Sequence, residues 1–300
     1  MKVVSGILLM LLSMSMLSFV VNVETVKGDW TGTVYIRADG SIDPPDAPIG
    51  TSDNVTYTLT DNIRSSGDGI VIKRDNVVVD GAGYMVQGTG SGIGIDLSDR
   101  CNVTIKNLRI QKFGSGIGAS RCYNATISEN NITGNRWNGV ELAWYSSHNS
   151  IVGNNITANN SSGVVLTTYS NYNNISRNNI ADNGGYGIYI FDSYFNRIYH
   201  NNFINNTAQV YIWTRYESLN VWDDGSKGNY WSDYKEKYPN AKEIDESGIW
   251  DTPYVIDEKN QDNYPIVPEF PSLLIPPLYM VTTLLAVIIY KRKRTANNKR

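Results

Sequence analysis

An apolar anchor returns at a nearly constant interval through the middle of this chain, and that interval limits the fold more than any other feature. Ile110, Ile132, Ile156, Ile180 and Phe203 stand 22, 24, 24 and 23 residues apart. They close phrases such as Asn102-Val-Thr-Ile-Lys-Asn-Leu-Arg-Ile110 and Asn124-Ala-Thr-Ile-Ser-Glu-Asn-Asn-Ile132. A second phrase keeps step with the first: Gly92-Ile-Gly-Ile, Gly116-Ile-Gly-Ala, Gly139-Val-Glu-Leu, Gly163-Val-Val-Leu, Gly187-Ile-Tyr-Ile and Gln209-Val-Tyr-Ile. Both alternate apolar with polar or small residues, the period of a strand with one buried face. Helical repeats would need a 3.6-residue period, leucine-rich repeats a Leu scaffold, and a propeller blade about twice this length. The pattern predicts an all-β fold, a right-handed single-stranded parallel β-helix. Its coils add at about 4.8 Å each, and each buries its inner face only against its neighbours.

Aligning the phrases predicts the columns. Ile93, Ile117, Val140, Val164, Ile188 and Val210 form one inward ladder, and Ile95, Ala119, Leu142, Leu166, Ile190 and Ile212 a second. Ile105, Ile127, Ile151, Ile175 and Ile198 form a third. Asn accounts for 34 of 300 residues, and Asn130, Asn154, Asn178 and Asn201 share a column, as do Asn135, Asn159, Asn183 and Asn206. We read most of them as turn ladders, because Asn tolerates the left-handed conformation and stacked amides bond from coil to coil. Alternation then points Gly94, Gly118, Glu141, Val165, Tyr189 and Tyr211 outward in one column. Asp96, Ser120, Ala143, Thr167, Phe191 and Trp213 point outward in the next.

The ends read differently. Lys2 and the apolar run from Val3 to Val21 predict a secretory signal peptide over residues 1–25. Ser272 to Tyr290 carries no charge over nineteen residues. At about 1.5 Å per residue it just spans a bilayer core of about 30 Å. Lys291, Arg292, Lys293 and Arg294 follow it and mark a cytoplasmic side, which puts the body outside the cell. The body divides into an N-terminal cap region at 26–68, repeats at 69–218 and a C-terminal cap at 219–267, before a tail at 268–300. A net charge of −3 leaves no nucleic-acid footprint.

Cys101 and Cys122 precede equivalent strands one coil apart. Coil spacing of about 4.8 Å lies inside the Cα separation of about 4.4–6.8 Å that a disulfide needs, so a disulfide is expected, with a one-residue offset against Ile105 and Ile127. Nine glycosylation sequons occur, at Asn54, Asn102, Asn124, Asn131, Asn155, Asn159, Asn160, Asn174 and Asn205. Several fall out of the repeat phrase itself, so some should point inward and be unusable.

The Asn-x-x-Ile-x-x-Asn-x-Ile and Gly-Ile-x-Ile phrases, over roughly Val71 to Ile266, resemble the NosD-type right-handed β-helix family. Thr33-Val-Tyr-Ile-Arg-Ala-Asp-Gly-Ser41 and Asp75-Asn-Val-Val-Val-Asp-Gly-Ala-Gly-Tyr84 look like the opening of archaeal cell-surface members. Gly228-Asn-Tyr-Trp-Ser-Asp-Tyr234 and Asp251-Thr-Pro-Tyr-Val-Ile-Asp257 look like their closing segment. Pro268-Glu-Phe270 before the apolar span is similar to the PEF-CTERM sorting signal, which implies an archaeosortase-like enzyme as a partner. The family name implies copper. The residues do not support that extension, because exported copper carriers favour His, Met and Cys. Between the apolar ends stand only Met85, His148, His200 and two Cys.

Many β-helix proteins cleave polysaccharides, so a lyase or hydrolase is the rival to a binding protein. Such sites need carboxylates at about 5–10 Å or a calcium cluster with a base. Asp223 and Asp224 are adjacent and so point to opposite faces of a strand, and Asp96 and Asp99 have no matching column. Calcium would use Asp245, Glu246 and Asp251, whose spacing lacks the alternation of a calcium loop. The aromatic residues are more suggestive. Tyr189, Phe191, Tyr211 and Trp213 form an outward block on the last two coils. The expectation is that the aromatic-rich closing segment packs back over this block. Left uncovered, the four rings suit a glycan. The leading function is therefore a non-catalytic surface protein that contacts glycans or other envelope components, such as surface-layer proteins, from a membrane tether.

Overall fold

The computed structural model describes residues 30–215 and 219–267. The signal peptide, Pro268-Glu-Phe270 and the apolar span from Ser272 lie outside them. No helix among the described residues is long and apolar enough to cross a membrane.

The short alternating phrases fold as three strands per coil, and the coils build a right-handed parallel β-solenoid. One sheet of nine strands runs from Trp30–Thr31 to Tyr230–Trp231. A second of nine ends on Ala208–Trp213, and a third of eight ends on Arg197–Tyr199. Stacking is parallel from coil to coil, and antiparallel strands occur only at the first coils and in the closing segment. The ladders start earlier than the sequence suggested. Val34 lies beneath Ile70, Tyr57 beneath Val79, and Ile63 beneath Val86. The 26–68 segment is thus coil from Trp30 onward rather than a separate cap.

The third column forms as expected, with Ile105, Ile127, Ile151, Ile175 and Ile198 paired in register. The first two need one correction. Ile95, not Ile93, pairs with Ile117, and Ile93 pairs with Ser115. Leu97 then stands before Ala119 in the second inward column, and Asp96 pairs with Gly118 in the outward one. The reason lies in the glycines. A Cβ at Gly94, Gly116, Gly139, Gly163 or Gly187 would meet the next coil's carbonyl oxygen at 2.4–2.8 Å. Gly94 is therefore the equivalent of Gly116, and Gly92 sits in a turn at φ +71°. Gln209 takes this position in the last coil, where no coil follows in that sheet.

The interior of the turns is polar and saturated. Asn130, Asn154, Asn178, Asn201 and Asn229 form a continuous ladder, each Nδ2 donating to the next Oδ1 at 2.9–3.0 Å. Each next Oδ1 also accepts the backbone N–H of the Asn before it. Asn135, Asn159, Asn183 and Asn206 repeat the arrangement, and the ladder closes on Gln209 Oε1. A third ladder, Asn149, Asn173, Asn196 and Asn220, was not expected, nor was the serine column Ser146, Ser170 and Ser193. The ladder Asn residues are not themselves in the left-handed region. The residue before each one is, except ahead of Asn220 and Asn229, as at Arg177 (φ 57) and His200 (φ 58). That turn tips the following amide inward, where it meets backbone carbonyls that no strand can reach.

Candidate functional site

The last two coils carry the aromatic block. Strand Tyr186–Phe191 pairs with Ala208–Trp213, with Tyr189 opposite Tyr211 and Phe191 opposite Trp213. Alternation turns Val210 and Ile212 toward the core and the rings outward. Tyr189 and Tyr211 stack with centroids 5.6 Å apart and planes 2° apart. Phe191 and Trp213 stack at 4.8 Å and 11°. Tyr186 joins the first pair, 5.0 Å from Tyr211. Burial in this cluster pushes the Tyr189 phenol above its ordinary value, with Tyr211 and Tyr186 adding to the effect.

The closing segment does not pack back over this block. Tyr211 remains 40% exposed and Trp213 45%. The rings of the closing segment go to the open end of the core instead. Trp222 and Trp231 are buried, Trp231 lies on Phe203 at 4.5 Å, and Tyr254 lies on Trp231 at 4.2 Å. An uncapped solenoid end exposes a cross-section of apolar ladders, and large flat rings cover it at the least loss of side-chain entropy.

A buried acid anchors this cap. Asp262 Oδ2 accepts the Asn229 N–H at 2.6 Å and Trp231 Nε1–H at 2.9 Å, and Oδ1 accepts the Tyr264 N–H at 3.0 Å. A Cβ at Gly228 would fall 1.7 Å from Oδ1, so glycine makes the room. Burial pushes the carboxyl up to about 7 against these donors. Nothing in the sequence pattern distinguished Asp262 from the exposed acids beside it.

The other acids are spent on local turns. Asp96 accepts the Ser98 N–H, and Asp99 pairs with Arg121. Asp223 accepts from the Gly225 N–H and from both the backbone and side chain of Asn263. Asp224 accepts the Lys227 N–H and the Ser226 hydroxyl, which hold it well below the usual carboxylate range. Its Oδ2 also lies 3.0 Å from His200 Nε2. Asp245 and Glu246 sit at positive φ in an exposed turn, and Asp251 is engaged by the Lys242 N–H and the Thr252 hydroxyl. No three His, Cys, Asp or Glu side chains converge among the described residues.

The expected disulfide is not formed, and Cys101 and Cys122 are free thiols. Cys101 aligns with Tyr123, one residue beyond Cys122. That offset turns Cys122 into the core and leaves Cys101 half-exposed. Burial raises the Cys122 thiol to about 12. Among the sequons, Asn54, Asn102, Asn124, Asn160 and Asn205 are exposed, Asn131, Asn155 and Asn174 are half-buried, and Asn159 is buried in its ladder. The sequence reading also missed a set of exposed rings at the corner between the second and third sheets, including Tyr172 and Phe195. Its signal was available: an aromatic or His residue directly before Asn149, Asn173 and Asn196.

These features define a parallel β-solenoid with an amide-laddered interior and an aromatic outer face. The family model described as periplasmic copper-binding protein (NosD) matches residues 31–236, more than half of the chain. The chain belongs to the NosD family. No curated protein matches it.

Copper is the metal that description implies, and the residues present do not fit it. His148 lies between the rings of Tyr123 and Tyr172, at 4.8 and 5.2 Å. His200 is two coils away beside Asp224. Met85 Sδ accepts from Gln111 Nε2, and of the two thiols Cys101 is half-exposed and Cys122 buried in the core. Soft donors for copper must converge on one point, and these do not.

Proposed function

We propose that this chain is a non-catalytic exported solenoid that binds glycan, or another envelope component, through Tyr189, Phe191, Tyr211 and Trp213. The observation that carries the reading is the open ring pair at the end of the second sheet, with Tyr211 and Trp213 each more than a third exposed. Two rings two residues apart on one strand form a flat apolar platform, with a phenol hydroxyl at one side. Such a platform desolvates the C–H face of a sugar while leaving its hydroxyls to water. Display on the outer face of a membrane through Ser272 to Tyr290, with processing near Pro268-Glu-Phe270, belongs to the same proposal. So does any occupancy of the exposed sequons.

The test is glycan-array binding of the wild type against Tyr211→Ala and Trp213→Ala. Loss of binding in the variants supports the assignment, and unchanged binding in both sinks it. A polysaccharide lyase or hydrolase is the rival, and release of cleavage products in a polysaccharide screen would replace the proposal with it. Copper handling is a second reading, whose support is the family description alone.

A further inference from the structure

A second aromatic surface lies where each coil turns from the second sheet into the third. Earlier coils pass this corner through Asn102 (φ 55) and Asn124 (φ 56), later ones through His148 (φ 60), Tyr172 (φ 57) and Phe195 (φ 57). Asn accepts the left-handed region readily and bulky rings do not. Tyr172 and Phe195 therefore hold their rings at a disfavoured φ, and His148, Tyr172 and Phe195 are all exposed. Tyr172 is 53% exposed and Phe195 48%. With Tyr123 ahead of them, tilted 50° to His148, they form one column of rings with centroids 4.8, 5.2 and 5.3 Å apart. Tyr145 and Tyr169 stand beside it, stacked at 5.5 Å and also at positive φ. None of these six side chains carries a carboxylate or an ammonium group.

We propose that this corner is a track for a linear neutral polysaccharide lying along the solenoid axis, with one sugar ring per coil. The proposal rests on the glycan-binding reading and adds to it a surface whose contribution grows with chain length. Ring spacings of 4.8–5.3 Å follow the coil rise, and they match the length of one pyranose in an extended chain. The His148–Tyr172 and Tyr172–Phe195 pairs are nearly parallel, at 15° and 12°, and at centroid spacings wider than a contact of about 3.5–4.0 Å such rings overlap with an offset that leaves part of each ring uncovered by its neighbour. Ser147 and Asn171 stand between the two ring columns along the chain, and their Oγ and Oδ1 atoms accept the Asn171 and Tyr194 N–H groups, which ties neighbouring coils together at this corner.

The experiment titrates the full chain with cello-, chito- and manno-oligosaccharides of two and of six sugars. The variant is the double substitution Tyr172→Asn and Phe195→Asn, which removes both rings and restores the residue type of the earlier corners. Tyr211→Ala with Trp213→Ala serves as the reference. The expected result is about tenfold weaker binding of the six-sugar ligand by the corner variant, about 1.4 kcal/mol. Binding of the two-sugar ligand stays as in the wild type, and so does the melting temperature. Unchanged affinity for six sugars overturns the track and leaves the end block standing. An equal loss at both lengths overturns it too, because a track counts sugars. A wild type that binds none of these ligands, at either length, overturns the track together with the reading it rests on.

Discussion

Replacing Asn178 by alanine tests whether the buried amide ladders hold the solenoid together. Asn178 is 1% exposed and sits mid-ladder. Its Oδ1 accepts from the backbone and the side chain of Asn154, at 2.9 and 3.0 Å. Its Nδ2 donates to the Ile151 and Ser176 carbonyls and to Asn201 Oδ1, at 2.8, 3.1 and 2.9 Å. Alanine orphans the buried Asn154 N–H outright, a loss of about 1–3 kcal/mol. Asn201 Oδ1 keeps the Asn178 N–H, and Asn154 Nδ2 keeps two carbonyls, so those groups lose only part of their bonding. Each such bond is worth about 0.5–1.5 kcal/mol, and the total comes to roughly 3–5 kcal/mol. Urea unfolding followed by circular dichroism measures it, with hydrogen exchange to place the loss, since solenoids can unfold in segments. Asn202→Ala, at an exposed position, is the control. A cost at Asn178 no larger than at Asn202 would refute the reasoning. Asn178→Asp should do worse at neutral pH, because it sets a second oxygen against Asn201 Oδ1 and two carbonyls. Its buried carboxyl would have a raised value, so the deficit should shrink as pH falls toward the unfolded value of about 3.9.

Asp262 should make the cap pH-dependent. Its folded value near 7 lies above the ordinary one, so the stability it contributes is full below about pH 3.9 and is lost as pH rises through about 7. Melting curves from pH 5 to 8 should slope downward, and Asp262→Asn should flatten the slope while lowering stability, because its partners are all donors. Gly139→Ala should destabilise by about 1–3 kcal/mol in thermal unfolding, since its Cβ would lie 2.4 Å from Ile156 Cγ2 and 2.6 Å from the Gly163 carbonyl. Native alkylation read by mass spectrometry should label Cys101 and spare Cys122 until the chain unfolds. Equal labelling of both would contradict the burial and raised value of Cys122.

The solenoid was legible because one coil repeats with little variation. Ile127, Ile151 and Ile175 stand 24 residues apart, so their column followed from arithmetic. Where two identical phrases abut, as in Gly92-Ile-Gly-Ile95, arithmetic alone gave the wrong partner, and the close approach of Gly94 to the next coil decided the register. The disulfide failed for a related reason: a one-residue offset moves a side chain to the other face. The Asn149–Asn173–Asn196 ladder stands two residues before Ile151, Ile175 and Ile198, and it was missed because Val103 and Ala125 hold that place in the earlier coils. The direction of the cap was not legible at all. Composition says that Trp222, Trp231 and Tyr254 need burial, but not whether a side wall or an open end will bury them. That distinction decides whether Tyr211 and Trp213 are available.

The most direct test of the account is calorimetric titration of glycans identified on the array into the wild type and into the Tyr211→Ala, Trp213→Ala double variant. The account predicts that the double variant loses binding while its melting temperature stays at the wild-type value, because both rings lie outside the core. A double variant that binds as tightly as the wild type would contradict it.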